Sequence, residues 1–215
     1  MPVQRAFNLN KWIEENRHLL KPPVGNQSVY KESGDFIVMV VGGPNSRKDF
    51  HYNEGEELFY QLEGDVNVWI QEDGKIVDIP IKQGDMFLLP GRTPHSPQRG
   101  AGTVGLVIEL KRKTEEMDGF MWFCEKCDEK LYEEFVNVTD IVSQLPPLMN
   151  RFYSDESKRT CKKDKKERKV FPSFSIPPYV KVMCYVDDIL ILWDKCKIVD
   201  EDEINRLLHS IASYQ

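Results

Sequence analysis

Between Phe36 and Lys111 the chain breaks into short apolar segments at nearly even spacing, and this rhythm limits the available folds more than any other feature. The segments read FIVMVVGG, EELFYQLEG, VNVWIQEDG, KIVDIPIKQG, DMFLLPG and TVGLVIELK, most of them bounded by Gly, Asn-Pro or Asp-Gly. Six short segments recurring every 8–12 residues or so, with turn residues between them, predict an antiparallel sandwich or barrel. Ahead of them FNLNKWIEENRHLL reads as a short amphipathic helix that stops before Pro22-Pro23, because a proline removes a helix hydrogen bond and clashes with the preceding turn. The expectation is an all-β core with a short N-terminal helix.

Ionisable residues interrupt the apolar pattern in two places. One is RKDFHYNEGEELFYQ, residues 47–61, and the other is GDMFLLPGRTPHSPQRG, residues 84–100. Side chains two apart on a strand share a face. Extended backbone therefore points Arg47, Asp49 and His51 one way, Glu57, Phe59 and Gln61 one way in the next strand, and His95, Pro97 and Arg99 one way further on. A lone histidine at a strand end is most often a surface or satisfied core residue. Two of them beside separate strands, each with an arginine four residues away, and with Glu57 between them, make a site. Two imidazoles and one carboxylate with positions left open are the ligand set of non-haem Fe(II) oxygenases. The two guanidiniums suit bidentate recognition of a carboxylate.

Composition narrows the function classes. The 215 residues carry 30% charged side chains and a formal net charge of −6, which argues against a general nucleic-acid binder. No apolar run approaches the roughly 20 residues of a membrane helix, and MPVQRAFNLNKW has no apolar signal core; a cytoplasmic location is expected. Five cysteines, two of them as Cys124-x-x-Cys127, suggest a metal or thiols before disulfides in a reducing compartment.

The stretch from Gly43 to His51, then Glu57 and Gly64, resembles the first cupin motif, and Gly84, Pro90 and His95 resemble the second. Asn53 stands where the first motif usually has a second histidine. Together LLKPPVGN, VVGGPNSRKDFH, EELFYQLEG, GDMFLLPGRTPHSPQR and GLVIE resemble the 3-hydroxyanthranilate 3,4-dioxygenase family over about residues 8–160. The resemblance implies a cupin (jelly-roll) barrel that cleaves 3-hydroxyanthranilate with O₂ to 2-amino-3-carboxymuconate semialdehyde, on the kynurenine route to quinolinate and NAD. It implies His51, Glu57 and His95 as Fe(II) ligands, Arg47 and Arg99 as holders of the substrate carboxylate, and Glu109 facing the substrate's hydroxyl and amine. Asn26, Phe59 and Pro97 are implied as pocket lining, and a homodimer through the sheet as the assembly.

The expected divisions are a catalytic cupin domain over 1–112, an irregular lobe over 113–169, and an atypical extension over 170–215. In the lobe MDGFMWFCEKCDEKLYEEFVNV reads as a hairpin, TDIVSQLPPLMNRFYSDE as a helix broken by prolines, and KRTCKKDKKERK as a solvated connector. Microbial members of the family carry a second, rubredoxin-like site of two Cys-x-x-Cys pairs. Here the second pair reads Cys161-Lys-Lys-Asp164, so Cys124, Cys127, Cys161 and Asp164 are candidate ligands for a structural Fe or Zn. VMCYVDDILILWDKC resembles a reverse-transcriptase palm fragment with its Tyr-x-Asp-Asp motif, which implies either a retroelement-derived extension or a reading frame that runs into unrelated sequence, and Ile204, Leu207, Leu208 and Ile211 fall at the spacing of an amphipathic helix. Such a fragment lacks the further carboxylate and the template grip that polymerase chemistry needs. Two other readings stay open: a cupin that binds metal without catalysis, and nucleic-acid binding by the basic run.

Overall fold

The structure, a computed structural model, describes residues 3–21, 25–45, 47–139, 141–163, 180–184 and 189–193. Helix α1 (Leu9–Asn16) precedes the strands β1 (Asn26–Ser28), β2 (Phe36–Gly42), β3 (Phe50–Tyr52), β4 (Glu57–Glu63), β5 (Val66–Glu72), β6 (Lys75–Ile81), β7 (Met86–Leu89), β8 (His95–Arg99) and β9 (Val104–Leu110). A hairpin of β10 (Asp118–Phe123) and β11 (Lys130–Val136) follows, then helices α2 (Ile141–Tyr153) and α3 (Glu156–Arg159). β12 (Val180–Cys184) and β13 (Ile189–Trp193) pair antiparallel as a ribbon of their own. Among the described residues no helix is long and apolar enough to cross a membrane.

Two antiparallel sheets face each other, one ordered β1-β2-β9-β4-β7 and the other β11-β10-β3-β8-β5-β6. This is the jelly-roll arrangement expected of a cupin. The alternation in the sequence explains the layering. In β4 the residues Glu57, Phe59 and Gln61 are buried while Leu58 and Tyr60 are only partly so, and in β5 Val66, Val68 and Ile70 are buried in the same rhythm. Phe59, Val66, Val68, Ile70, Ile81, Leu89, Val41 and Val107 pack together between the sheets. The β5–β6 connection is the Asp73-Gly74 turn, with φ of 49° and 76°, the left-handed pair that a two-residue hairpin requires.

The six segments of the sequence pattern correspond to β2, β4, β5, β6, β7 and β9. The rhythm does not reveal β1, β3 and β8, which are three to five residues long and rich in polar side chains. Strand β3 begins only at Phe50, so Arg47 and Asp49 lie in the loop ahead of it, buried all the same. Gly43 lets that loop pass close to the β8–β9 turn: its N–H donates to Thr103 O at 2.9 Å, and a Cβ there would lie 2.2 Å from Gly100 O.

Helix α1 starts where Asn8 Oδ1 accepts from Lys11 N at 2.9 Å, and it anchors through Ile13 beside Leu20, Val40 and Val104. It ends at Asn16 and continues as a 3₁₀ turn over Arg17–Leu19, short of the prolines. The expectation of a helix broken by Pro146 and Pro147 is corrected, because α2 runs unbroken from Ile141 to Tyr153. Interior prolines remove helix hydrogen bonds at about 3 kcal/mol each. Burial of Leu145, Leu148, Met149 and Phe152 against Phe120, Trp122 and Leu131 offsets that loss.

The basic run begins as structure and not as a connector. Lys158 and Arg159 close α3, Lys158 Nζ stands 4.4 Å above the Tyr132 ring, and Lys163 Nζ lies 2.7 Å from Glu129 Oε2. The rest of that run, Asp164, residues 185–188 of the palm-like segment and the helix expected over 204–211 lie outside the described residues.

Candidate metal centre

His51 on β3 and His95 on β8 stand directly opposite each other in one sheet, and Glu57 at the start of β4 projects from the other. Glu57 Oε2 lies 3.3 Å from His95 Nε2, and Glu57 Oε1 lies 3.7 Å from His51 Nδ1. One donor atom from each of the three residues falls within 4.8 Å of the other two, and all three side chains are buried.

The donor chemistry suits a divalent cation. His95 Nδ1 donates to Thr93 O at 3.0 Å, and His51 Nε2 lies 2.7 Å from Asp118 Oδ1. In each ring the other nitrogen turns inward, where a bound cation would require it unprotonated. Charge agrees with this. Glu57, Glu109 and Asp118 are buried close together, and Arg112 pairs directly with Glu109 and Asp118, so the Glu57 carboxylate is left for a bound cation to balance.

Burial pushes the Glu57 carboxyl up, but the attraction of His95, and then of His51 and Arg112, holds it down at about 2. Burial pushes His95 down, yet the charge of Glu57 draws it above the usual imidazole range. A proton on His95 thus answers the same field that a bound cation would neutralise.

Glu109 on β9 pairs directly across from Glu57 on β4. Its Oε1 accepts from Arg112 Nη1 at 2.8 Å, and its Oε2 accepts from Asn53 Nδ2 at 3.2 Å. Burial and the neighbouring Glu57 charge raise its pKa, against the pull of Arg112. Asn53 also donates to Glu57 Oε1 at 2.8 Å, so one amide separates two carboxylates. In the sequence Asn53 registers only as a missing histidine; its role as a bridging donor is a finding of the structure.

Arg47 and Arg99 are both buried, at 7% and 6% exposure. Arg47 Nη2 donates to Asp49 Oδ2 at 2.6 Å, and its charge acts on His95. Arg99 is held through its backbone, whose N–H donates to Asn45 Oδ1 at 2.8 Å. Four residues of strand separate it from His95 by roughly 13 Å. Phe59 stands 6.2 Å from the His95 ring, and Pro97 is buried opposite Val68. Asn26 is farther out, on the edge strand β1 and half-buried opposite Val41.

Asp118 and Arg112 escape a sequence reading altogether. The only signal is an acid two residues ahead of the apolar run FMWF, and its meaning depends on β10 pairing with β3. The second cluster is assembled in part. The Cys124, Cys127 and Cys161 sulfurs lie within 4.8 Å of one another, with Cys127 and Cys161 at 3.6 Å.

A family model described as 3-hydroxyanthranilic acid dioxygenase matches residues 1–153. A 3-hydroxyanthranilate 3,4-dioxygenase from Xanthomonas euvesicatoria pv. vesicatoria is 52% identical over 155 residues, covering 72% of this chain and 87% of that protein. Proteins of the same name from Paraburkholderia phytofirmans and Neurospora crassa are 51% identical over 158 residues and 48% identical over 161, covering 73% and 75% of this chain and 90% and 88% of theirs. Among solved structures, a cupin-2 domain containing protein from Shewanella frigidimarina aligns with TM-score 0.39 at 17% identity, over 50% of this chain and 95% of that one. The fold assignment stands on the strand pairing and not on that slight likeness. With the family model spanning every strand from β1 to β11 and both halves of the buried His-Glu-His cluster, the chain belongs to the 3-hydroxyanthranilic acid dioxygenase family.

Proposed function

We propose that this chain is an Fe(II)-dependent extradiol dioxygenase that opens the ring of 3-hydroxyanthranilate with O₂ to give 2-amino-3-carboxymuconate semialdehyde, the precursor of quinolinate on the route to NAD. The observation that carries the reading is the buried His51-Glu57-His95 cluster with Glu109 directly opposite Glu57. Held by these three side chains, iron would supply the one-electron chemistry by which an aromatic ring reacts with triplet dioxygen.

The remaining steps fall to the protein. Arg47 and Arg99 bind the substrate carboxylate and turn the ring so that its hydroxyl and amine face the cluster. Their burial strengthens that contact and keeps water from competing for it. Glu109, with its carboxyl pushed up toward neutrality by burial and by Glu57, takes the phenolic proton and returns it as the ring opens. Phe59 and Pro97 give the ring apolar walls, and Asn26 completes the lining.

Removal of the Arg99 charge tests the substrate half of this account. Loss of a charge-assisted hydrogen bond is worth about 1.5–3 kcal/mol, so Arg99→Ala is expected to raise KM by roughly 10- to 100-fold with a smaller effect on kcat. Steady-state oxygen uptake measures both. An unchanged KM would remove Arg99 from substrate binding.

Two finer assignments accompany the main one. Cys124, Cys127 and Cys161, with Asp164 as fourth ligand, hold a structural Fe or Zn remote from the chemistry, and elemental analysis of the loaded protein is expected to find two metals per chain. The protein is a homodimer through the outer face of the β1-β2-β9-β4-β7 sheet. Phe36 is 55%, Met86 64%, Leu88 54% and Leu110 47% exposed there, an apolar patch that favours burial. Leu88→Glu is expected to give monomers in sedimentation; a wild-type monomer at micromolar concentration would contradict the dimer.

A further inference from the structure

Six side chains close a ring on one flank of the metal centre. Glu57 faces His51, His51 Nε2 meets Asp118 Oδ1 at 2.7 Å, and Arg112 grips Asp118 through Nε at 3.0 and 3.2 Å and Nη2 at 2.9 Å. The same guanidinium reaches Glu109 Oε1 through Nη1 at 2.8 Å, and Asn53 returns from Glu109 Oε2 at 3.2 Å to Glu57 Oε1 at 2.8 Å. The ring joins β3, β4, β9 and β10, and so links both sheets.

A merely structural role explains this arrangement poorly. The Asp118 side chain is 1% exposed and that of Arg112 18%, and burying two charges rarely stabilises a fold more than an apolar pair would. Each contact here has a directional consequence instead. As an ionised carboxylate, Asp118 only accepts, so the His51 nitrogen facing it must carry the proton. The other nitrogen, Nδ1, is left bare and turned toward Glu57. Arg112 spends its remaining arm on Glu109, which fixes where that carboxylate points.

We propose that Asp118 and Arg112 are positioning residues. Asp118 sets His51 as the Nε2–H tautomer with Nδ1 as the metal donor, and Arg112 ties that setting to the orientation of Glu109. Ligand set and proton-handling carboxylate are thereby held as one unit. The inference rests on the reading of His51, Glu57 and His95 as a metal centre.

Nitrogen-15 NMR of the metal-free, full-length protein, with labelled histidine, tests the tautomer directly. His51, assigned by the signal lost in His51→Gln, is expected to show a protonated Nε2 and an unprotonated Nδ1. A proton on Nδ1 would overturn the proposal without any variant of Asp118. Competition titration with Co(II) then compares the wild type with Asp118→Asn, whose amide can present a donor as well as an acceptor to the ring. The expected result is a loss of roughly 10- to 100-fold in affinity, with a mixed His51 tautomer. Unchanged affinity and tautomer in a folded Asp118→Asn would refute the positioning role. Failure of the wild type to bind Co(II) would instead refute the metal centre itself. Arg112→Lys keeps the charge and loses the fork. Its Co(II) affinity is expected to stay within a few-fold of wild type while kcat falls about 10-fold or more with little change in KM, and an unchanged kcat would release Arg112 from its link to Glu109.

Discussion

Glu57→Gln is expected to empty the metal centre. Glu57 supplies the only carboxylate oxygen in the three-residue cluster, and both of its oxygens face an imidazole nitrogen, at 3.3 and 3.7 Å. A neutral amide is a poor ligand for a hard divalent ion. The substitution also removes the charge that counters the desolvation of a bound cation in a site only 5% exposed at this residue. Metal affinity should therefore fall by more than the roughly 10- to 100-fold that loss of an outer partner costs. Ring cleavage should vanish with it. Metal content after gel filtration, read beside thermal unfolding, separates this from misfolding: the variant should fold, and full metal retention would contradict the ligand assignment.

Trp122→Ala is expected to be the most damaging single change to stability. Trp122 is completely buried on β10, stacked on Phe152 of α2 with ring centroids 4.3 Å apart and planes 12° apart, and Tyr132 lies 5.9 Å away. Large-to-small changes of this kind cost about 3–5 kcal/mol, a large share of the 5–15 kcal/mol typical of a whole domain. The melting temperature should drop by about 10 °C or more. The consequence reaches the chemistry through β10, the strand that also carries Asp118 and pairs with β3 beside His51. Thermal and urea unfolding measure the effect. A change under about 1 kcal/mol would mean that α2 adds little to the barrel.

Much of the barrel is legible in the sequence because its longer strands alternate. β4 and β5 show buried and half-buried residues in strict succession. The face-sharing rule that places Glu57 with Phe59 and Gln61, and His95 with Pro97 and Arg99, needs nothing beyond strand geometry. The helix over Ile141–Tyr153 is misread as broken because local proline chemistry argues one way, and tertiary burial of Leu145, Leu148 and Phe152 wins. The network behind the cluster is not legible at all. His51 and Asp118 are 67 residues apart, and Arg112 and Asp118 are ordinary surface-type residues until β10 joins the sheet at β3. Asn53 shows the same limit, since a sequence displays the ligand it replaces and not the two carboxylates it separates.

The central claim is that the buried cluster opens an aromatic ring with both atoms of dioxygen. Its most direct test is the stoichiometry of oxygen uptake by the full chain, loaded anaerobically with Fe(II) and then given 3-hydroxyanthranilate and O₂. The account predicts one O₂ consumed for each ring lost, no accumulation of hydrogen peroxide, and the absorbance of a conjugated semialdehyde appearing at the same rate. Iron and substrate both bound, with the ring intact or with oxygen recovered as peroxide, would contradict it.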